Sequence, residues 1–323
     1  MSEIHVCIAC NDNYAPHGAA LIASIMENKV ENDQLVFHIL SDKLSQKTKS
    51  KMEKMNDQWN FEIEFIDFSD EIYRGFPELG GTHTPYFRLA IHRLLAPEIK
   101  RVLYLDCDMI VTTSLSWLYH VDIDGKYGAV VAERKDSKFT THSFPYFNSG
   151  MILFNLDKYR TDDIEKKIMK MAKDRPGQFD LYDQDLLNEV FQGNVVYLPL
   201  EWNVMLFPEQ IKGIEQSYCS EVVFTNEEIE MAKKNPRITH FVTSKKPWGN
   251  GCTHPHQSLY WTYLKATPFY KKVLRRCRIT RLLSGISFLK KLPRLIIQVR
   301  FGKKKSYIKM FGLTLYCKKE SFE

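Results

Sequence analysis

The 323 residues are 44% hydrophobic, enough apolar surface for one large α/β domain or two smaller ones, which excludes a disordered main body. The net charge of +6 conceals two halves of opposite sign: residues 1–230 hold 23 Lys+Arg against 37 Asp+Glu, and residues 231–323 hold 22 against 2. The N-terminal MSEIHVCIACNDNY has no basic segment followed by an apolar run, and no stretch of about 18 uncharged apolar residues occurs, so neither a signal peptide nor a membrane span is expected.

The first 110 residues alternate strand-like runs with amphipathic segments: IHVCIAC, HGAALIASIMEN, LVFHIL, a Lys/Ser-rich helical stretch, then FEIEFIDF. This β-α-β-α-β rhythm predicts a largely parallel sheet covered by helices on both faces. Such sheets bind ligands beyond the carboxyl ends of their strands, which places Asn11, Asp12, Asn13 and Tyr14 in a pocket. Cys7-x-x-Cys10 lies inside the first run and has no matching second pair. The seven cysteines are odd in number and scattered, so buried, reduced thiols are expected rather than a disulfide framework.

Residues 74–85, RGFPELGGTHTP, read as a loop able to fold over a ligand, and YFRLAIHRLL as the helix after it. RVLYLDCDMIV follows as one apolar strand, AVVAE and MILFNL as two more, and residues 162–173 and 183–192 as helices. From Thr267 the chain turns basic and aromatic-aliphatic, as in KKLPRLIIQVRF and KKKSYIKMFGLTLYCKK. A boundary near 265 then separates a body, 1–265, from a basic tail, 266–323.

No acidic residue occurs from Met231 to Lys319, which points to a polyanionic partner. Neither a paired Cys/His finger spacing nor a glycine-aromatic RNA-binding signature is present, so nucleic acid is not expected. An anionic membrane surface suits basic residues interleaved with Leu, Ile, Phe and Tyr, each nearby Lys or Arg contributing ~1 kcal/mol. A solubilising tail is the alternative.

Within the apolar run, Asp106-Cys107-Asp108 is the sharpest feature. A strand sends residues i and i+2 to one face, and two uncompensated carboxylates there would be costly. A hard divalent cation, Mg²⁺ or Mn²⁺, resolves the conflict, and solvated turn residues are the alternative.

The ordered motifs RVLYLDCDMIV, FNSGMILFNL, LYDQDLLN and THFVTSKKPW resemble glycosyltransferase family 8 over roughly residues 3–262. The resemblance is particularly to the bacterial lipopolysaccharide galactosyl- and glucosyltransferases, with glycogenin a distant relative. The resemblance implies an α/β fold of the GT-A type: one Rossmann-like, nucleotide-sugar-binding domain. It implies a retaining hexosyltransferase that uses a UDP-sugar, galactose or glucose, on a lipopolysaccharide or other surface glycan or glycolipid. Such enzymes work at the inner face of the cytoplasmic membrane, which implies a cytoplasmic, peripherally associated protein.

Carried over residue by residue, Asp106, Asp108 and His240 would hold Mn²⁺, with Mg²⁺ as a substitute, against the UDP diphosphate. Lys246 would neutralise diphosphate charge. Val242-Thr243-Ser244 stands where relatives carry a glycine-containing stretch, so backbone amides there would approach phosphate less closely. Ala9, Asn11, Asn13 and Tyr14 match the uridine-contacting stretch, against the plainer reading of a polar turn closing a strand. Arg88, Asn148, Asp183 and Gln184 match the donor-sugar residues. In the Asp183-Gln184-Asp185 cluster, helix capping is the alternative role of the carboxylates. Gln184 matches the residue beneath the anomeric carbon, and because an amide is a poor nucleophile, attack on the face from which the diphosphate departs is expected. The rival readings are a sugar nucleotidyltransferase, which would carry a basic glycine-rich stretch after the first strand, and a silent nucleotide- or glycan-binding module.

Overall fold

The computed structural model describes residues 3–78, 82–136, 141–179, 181–205, 224–286, 297–301, 305–310 and 313–318, with side chains within 3–133 and 144–280. Strand β1 (Glu3–Ala9) leads through α1 (Ala15–Asn28), β2 (Gln34–Ser41) and α2 (Gln46–Glu53) to β3 (Glu62–Asp67). The run IHVCIA is apolar at nearly every position because β1 is a central strand, parallel to β2 on one side and to β4 (Arg101–Leu105) on the other. Helix α1 is buried from Ala15 to Met26. Helix α2 is polar and capped by Ser45, whose hydroxyl accepts from the Thr48 N–H at 3.3 Å.

Three more strands, β6 (Gly128–Asp136), β7 (Thr141–Asn155) and β8 (Val196–Tyr197), complete a sheet of order β3-β2-β1-β4-β7-β6-β8. All its pairs are parallel except β4/β7 and β6/β7, so the expected α/β class with a largely parallel sheet is observed. Val6 opposite Leu103 and Cys7 opposite Tyr104 set the carboxyl ends of β1 and β4 side by side. That is where such sheets open a binding crevice.

The two faces are filled differently. Side chains alternate across a strand, so Ile8 faces Gly18 of α1 while Cys7 joins an aromatic cluster on the other side. That cluster includes Tyr73, Tyr86, Phe87, Tyr104, Phe147, Phe154, Tyr159 and Phe191, all buried. It packs the sheet against α3 (Ile91–Leu94), α5 (Leu156–Thr161), α6 (Ile164–Asp174) and α7 (Asp183–Phe191), while α4 (Ser116–Tyr119) follows β5 (Met109–Val111). Among the described residues Cys7, Cys10, Cys107, Cys252 and Cys277 are free thiols, as expected of the Cys7/Cys10 pair.

Two elements differ from expectation. YFRLAIHRLL is mostly a 3-10 helix, Thr84–Ala90, followed by the single turn α3. Side chains replace the α-helical ladder there: Arg88 Nε donates to the Pro85 carbonyl at 2.9 Å and the Tyr86 hydroxyl to the Pro77 carbonyl at 3.0 Å. RVLYLDCDMIV is two strands, not one. β4 ends at Leu105, the chain turns at Cys107–Asp108, and β5 (Met109–Val111) pairs antiparallel with β9 (Ile238–His240) in a separate two-stranded sheet. The two aspartates therefore do not share a strand face. The Asp106 N–H donates to the Gly150 carbonyl, whereas the Asp108 carbonyl accepts from the Phe241 N–H, each at 2.9 Å.

By its contacts the chain divides into two compact units: 1–247 with 252–270, and 248–251 with 271–323. In the second, the Cys277 thiol meets the Trp248 carbonyl at 2.8 Å on the helix Tyr270–Ile286. Strands β10 (Ile297–Phe301), β11 (Lys305–Met310) and β12 (Leu313–Lys318) form an antiparallel meander. Leu292 and Ile296 of the basic tail, residues that could insert into a membrane, lie outside the described residues, as does the Phe301 side chain. No helix among the described residues is long and apolar enough to cross a membrane.

A histidine chain crosses β1 to β3. His5 Nδ1 lies 3.0 Å from His38 Nε2, and His38 Nδ1 lies 2.8 Å from Glu64 Oε2. Burial, chiefly, lowers the pKa of both rings. A folded-state pKa below the unfolded one adds stability that is present above the ordinary imidazole range and lost as pH falls through it. The thermal midpoint is therefore expected to drop between about pH 7.5 and about pH 5.5, and His38→Gln to flatten that dependence. An equal slope in the variant would place the acid sensitivity elsewhere.

Candidate active site

The β5/β9 pairing solves a problem of chain distance. Met109 stands opposite His240, so the histidine arrives beside Asp108 although it is far along the chain. His240 Nε2 lies 3.2 Å from Asp108 Oδ1 and 3.8 Å from Asp106 Oδ2, and one donor atom from each of the three residues falls within 4.8 Å of the others. Gly150 makes this possible: a Cβ there would stand 2.4 Å from His240 Cε1 and 2.7 Å from Asp106 Oδ2. The other ring nitrogen, Nδ1, is occupied by Asn203 Oδ1 at 3.0 Å. Two carboxylates and an outward-facing imidazole nitrogen form a mixed O/N donor set that suits a divalent metal, so the residues fit the ion the sequence implies.

Neighbouring side chains balance the charge of the two carboxylates. Burial opposes ionisation of Asp108, but Lys246 Nζ at 2.5 Å and His240 outweigh it and hold the carboxyl well below the usual carboxylate range. Asp106 accepts at Oδ1 from Arg88 Nη2 at 2.7 Å and from the Tyr104 hydroxyl at 3.0 Å. Arg88 is buried, its guanidinium stacked 4.5 Å from the centre of the Tyr104 ring. Its donors serve Asp106, Asp183 at 3.1 Å, the Ser149 carbonyl and hydroxyl, and Pro85. Arg88 thus braces one carboxylate of the Asp106-Asp108-His240 cluster against one of the Asp183-Gln184-Asp185 cluster.

That second cluster opens α7, as expected, behind Tyr182, whose φ of 41° is strained for a tyrosine. The side chains of Asp183, Gln184 and Asp185 are all buried, and neither aspartate is the N-cap residue. Burial pushes the Asp183 carboxyl up, with Arg88 opposing. Gln184 Oε1 accepts from Asn148 Nδ2 at 2.9 Å and the Ser149 N–H at 3.0 Å, while its Nε2 donates to Glu133 at 3.2 Å and the Tyr146 hydroxyl at 3.3 Å. The Tyr146 hydroxyl in turn donates to Asp185.

A cleft of 570 Å³ joins the two clusters to the end of β1, and it is lined by Ala9, Asn11, Asn13, Tyr14, Arg88, Asp106, Asp108, Asn148, Asp183, Gln184, His240 and Lys246. Of the residues expected here, Asp185 lies behind the lining, and Asp12 turns away to accept from the Ser45 hydroxyl at 3.0 Å. Asn11 closes the strand as a polar turn, its Oδ1 accepting from the N–H groups of Asn13 and Tyr14 at 3.0 and 3.2 Å. Turn and lining roles therefore coexist in one residue. Sequence reasoning missed Ser149, Gly150 and Asn203; the first two stand inside the quoted FNSG motif, and Asn203 carried no signal.

Comparison with known proteins identifies this architecture. The sequence model for Glycosyl transferase family 8 matches residues 5–252. The chain belongs to that family. General stress protein A of Bacillus subtilis (strain 168) is 26% identical, over 82% of this chain and 94% of its own length. A lipopolysaccharide 1,2-glucosyltransferase of Escherichia coli (strain K12) is 24% identical, over 91% of this chain and 86% of its own. Among solved structures, the galactosyltransferase LgtC in complex with donor and acceptor sugar analogs superposes with a TM-score of 0.70 at 23% identity, covering 83% of this chain and 96% of that one. The bifunctional WbbM also gives 0.70, but this chain spans only about half of it, 52%. These likenesses establish the GT-A type fold, and the family match sets aside the nucleotidyltransferase reading.

Proposed function

We propose that this family 8 glycosyltransferase is a Mn²⁺-dependent, retaining hexosyltransferase that carries galactose or glucose from a UDP-sugar to a lipopolysaccharide or related surface glycan. The observation that carries the reading is the convergence of Asp106, Asp108 and His240 within 4.8 Å in the lining of a cleft that also takes in the end of β1 and Gln184. Similarity to lipopolysaccharide glycosyltransferases supports the acceptor class.

Asp106, Asp108 and His240 would hold the cation, which when bound supplies counter-charge to the diphosphate and to the leaving group. Lys246 adds a fixed positive charge beside Asp108. Asn11, Asn13 and Tyr14 would receive the uridine, and Arg88, Asn148, Asp183 and Gln184 would frame the hexose. Gln184 is held at both ends of its amide, so it would orient and stabilise rather than attack. Departure and attack would then share one face of the sugar, which keeps the anomeric configuration. Gln184→Ala is expected to bind UDP with Mn²⁺ as the native chain does, while transfer falls by ~100-fold or more. Calorimetry with UDP reads the first half, and a collapse of UDP affinity would remove Gln184 from the sugar end.

The tail, 266–323, would adsorb to an anionic leaflet at the inner face of the cytoplasmic membrane, leaving 1–265 as the catalytic domain. The 17 Lys+Arg from Lys265 to Lys319, with no acidic residue among them, support this assignment. Deleting 266–323 is expected to leave donor hydrolysis intact and to abolish co-sedimentation with phosphatidylglycerol vesicles. Native binding should also weaken in salt, since screening acts over ~8 Å. Equal binding by the truncated chain would move the membrane contact to the body.

A further inference from the structure

Resting on the reading of Asp106, Asp108 and His240 as a metal site, we infer that Asn203 is a positioning residue that couples the metal ligand His240 to the sugar-end residue Gln184. Asn203 has no exposed surface and follows the 3-10 helix Leu200–Trp202. That turn is pinned from outside: Trp202 stacks on Trp117 with ring centres 5.4 Å apart and carries the Arg237 guanidinium at 5.1 Å. The next residue, Val204, bridges to β9, its carbonyl accepting from the His240 N–H at 3.0 Å. Asn203 is therefore fixed beside the imidazole by its backbone.

The direction of every hydrogen bond through Asn203 follows from one main-chain donor. The Gly150 N–H can only donate, and it meets Asn148 Oδ1 at 3.0 Å. Asn203 places its Nδ2 at the same oxygen, at 3.1 Å, so its Oδ1 is turned to His240 Nδ1. An acceptor at Nδ1 keeps a ring proton there, so Nε2 would present its lone pair to a cation held with Asp106 and Asp108. On the far side, Asn148 spends its Nδ2 on Gln184 Oε1, which the Ser149 N–H also holds. The series His240, Asn203, Asn148, Gln184 thus has one polarity from end to end. Reversing the Asn203 amide would set oxygen against oxygen at Asn148 and would require the His240 proton to move to Nε2. The residue does two jobs through two different atoms, an acceptor for the metal ligand and a donor for the sugar-end series.

Substitution separates those jobs. The full-length chain is titrated with Mn²⁺ in the presence of UDP, free Mn²⁺ being read by its paramagnetic resonance signal, and turnover of the UDP-sugar is measured separately. Asn203→Leu removes both atoms and is expected to weaken Mn²⁺ binding by about 10–100-fold. Asn203→Asp keeps the acceptor for Nδ1 but presents oxygen to Asn148; Mn²⁺ affinity is expected to stay within about threefold of native while kcat falls about 10-fold or more at unchanged KM. The Asp variant decides alone if the Leu variant does not fold. Native-like binding and turnover in the Asp variant, or a loss of Mn²⁺ affinity in it as large as its loss of kcat, overturns the coupling. Failure of the native chain to bind Mn²⁺ overturns the metal reading itself, so the two ideas fail separately.

Discussion

Gly150→Ala is expected to abolish both Mn²⁺ binding and transfer, although it adds a single methyl group. The added Cβ would meet His240 Cε1 at 2.4 Å, Asp106 Oδ2 at 2.7 Å and Asn148 Oδ1 at 2.9 Å, all far inside contact distance. None of these neighbours can withdraw freely. His240 is held by Asn203, Asp106 by Arg88 and Tyr104, and Asn148 by Asn203 and Gln184. The methyl group must therefore push His240, Asp106 and Asn148 apart or displace β7, and overpacking of this kind costs about 1–3 kcal/mol. Gly18→Ala is the control: its Cβ would make ordinary contact with Cys107 Sγ at 3.5 Å inside α1, where alanine is the better helix former by roughly 0.5–1 kcal/mol. The pair is read by Mn²⁺ titration and thermal unfolding. Native-like Mn²⁺ affinity in Gly150→Ala would mean that the cluster around His240 is not the metal site.

Asp108→Ala should be as damaging for activity, by a different route. It removes a carboxylate proposed to hold the metal and strips Lys246 of its half-buried partner, leaving the ammonium its hydrogen bond to the Phe241 carbonyl at 2.6 Å. Breaking a fully buried pair destabilises by about 3–5 kcal/mol, and this half-buried one is expected to cost less. Transfer should fall well beyond the about 10–100-fold typical of losing an outer-shell partner, and excess Mn²⁺ should not restore it. In EDTA the native chain should be equally inactive, and added Mn²⁺ should recover it. The discriminating comparison is the thermal midpoint in EDTA, where Asp108→Ala should unfold well below the native chain. An unchanged midpoint would mean that the Lys246 pair contributes nothing to the metal-free fold.

How much of this could be read from residues alone depended on the range of the interaction that fixes each feature. β1 to β3 and their helices follow from local periodicity, because a buried parallel strand and the helix after it write their burial into consecutive residues. The break between β4 and β5 does not. VLYLDCDMIV is apolar on both sides of the aspartates, and the chain leaves the sheet only because Gly150 and β9 bind its backbone from elsewhere. Asp106, Asp108, His240 and Gln184 were legible through family motifs, whose order survives divergence. Arg88 lines the cleft, but its commitment to Asp106, Asp183 and Ser149 rests on contacts between segments distant in sequence. Asn203 acts only through such contacts, so nothing local distinguishes it from any other asparagine.

The account's central claim is metal-dependent transfer of a hexose from UDP with retention, and proton NMR of full-length chain with UDP-galactose or UDP-glucose tests it most directly. With Mn²⁺, one of the donors should be consumed with release of UDP, and the hexose first delivered, to acceptor or to water, should carry the α configuration of the donor. EDTA should stop the reaction. Consumption of neither donor would favour a silent binding module, and turnover in EDTA or a β product appearing first would contradict the mechanism.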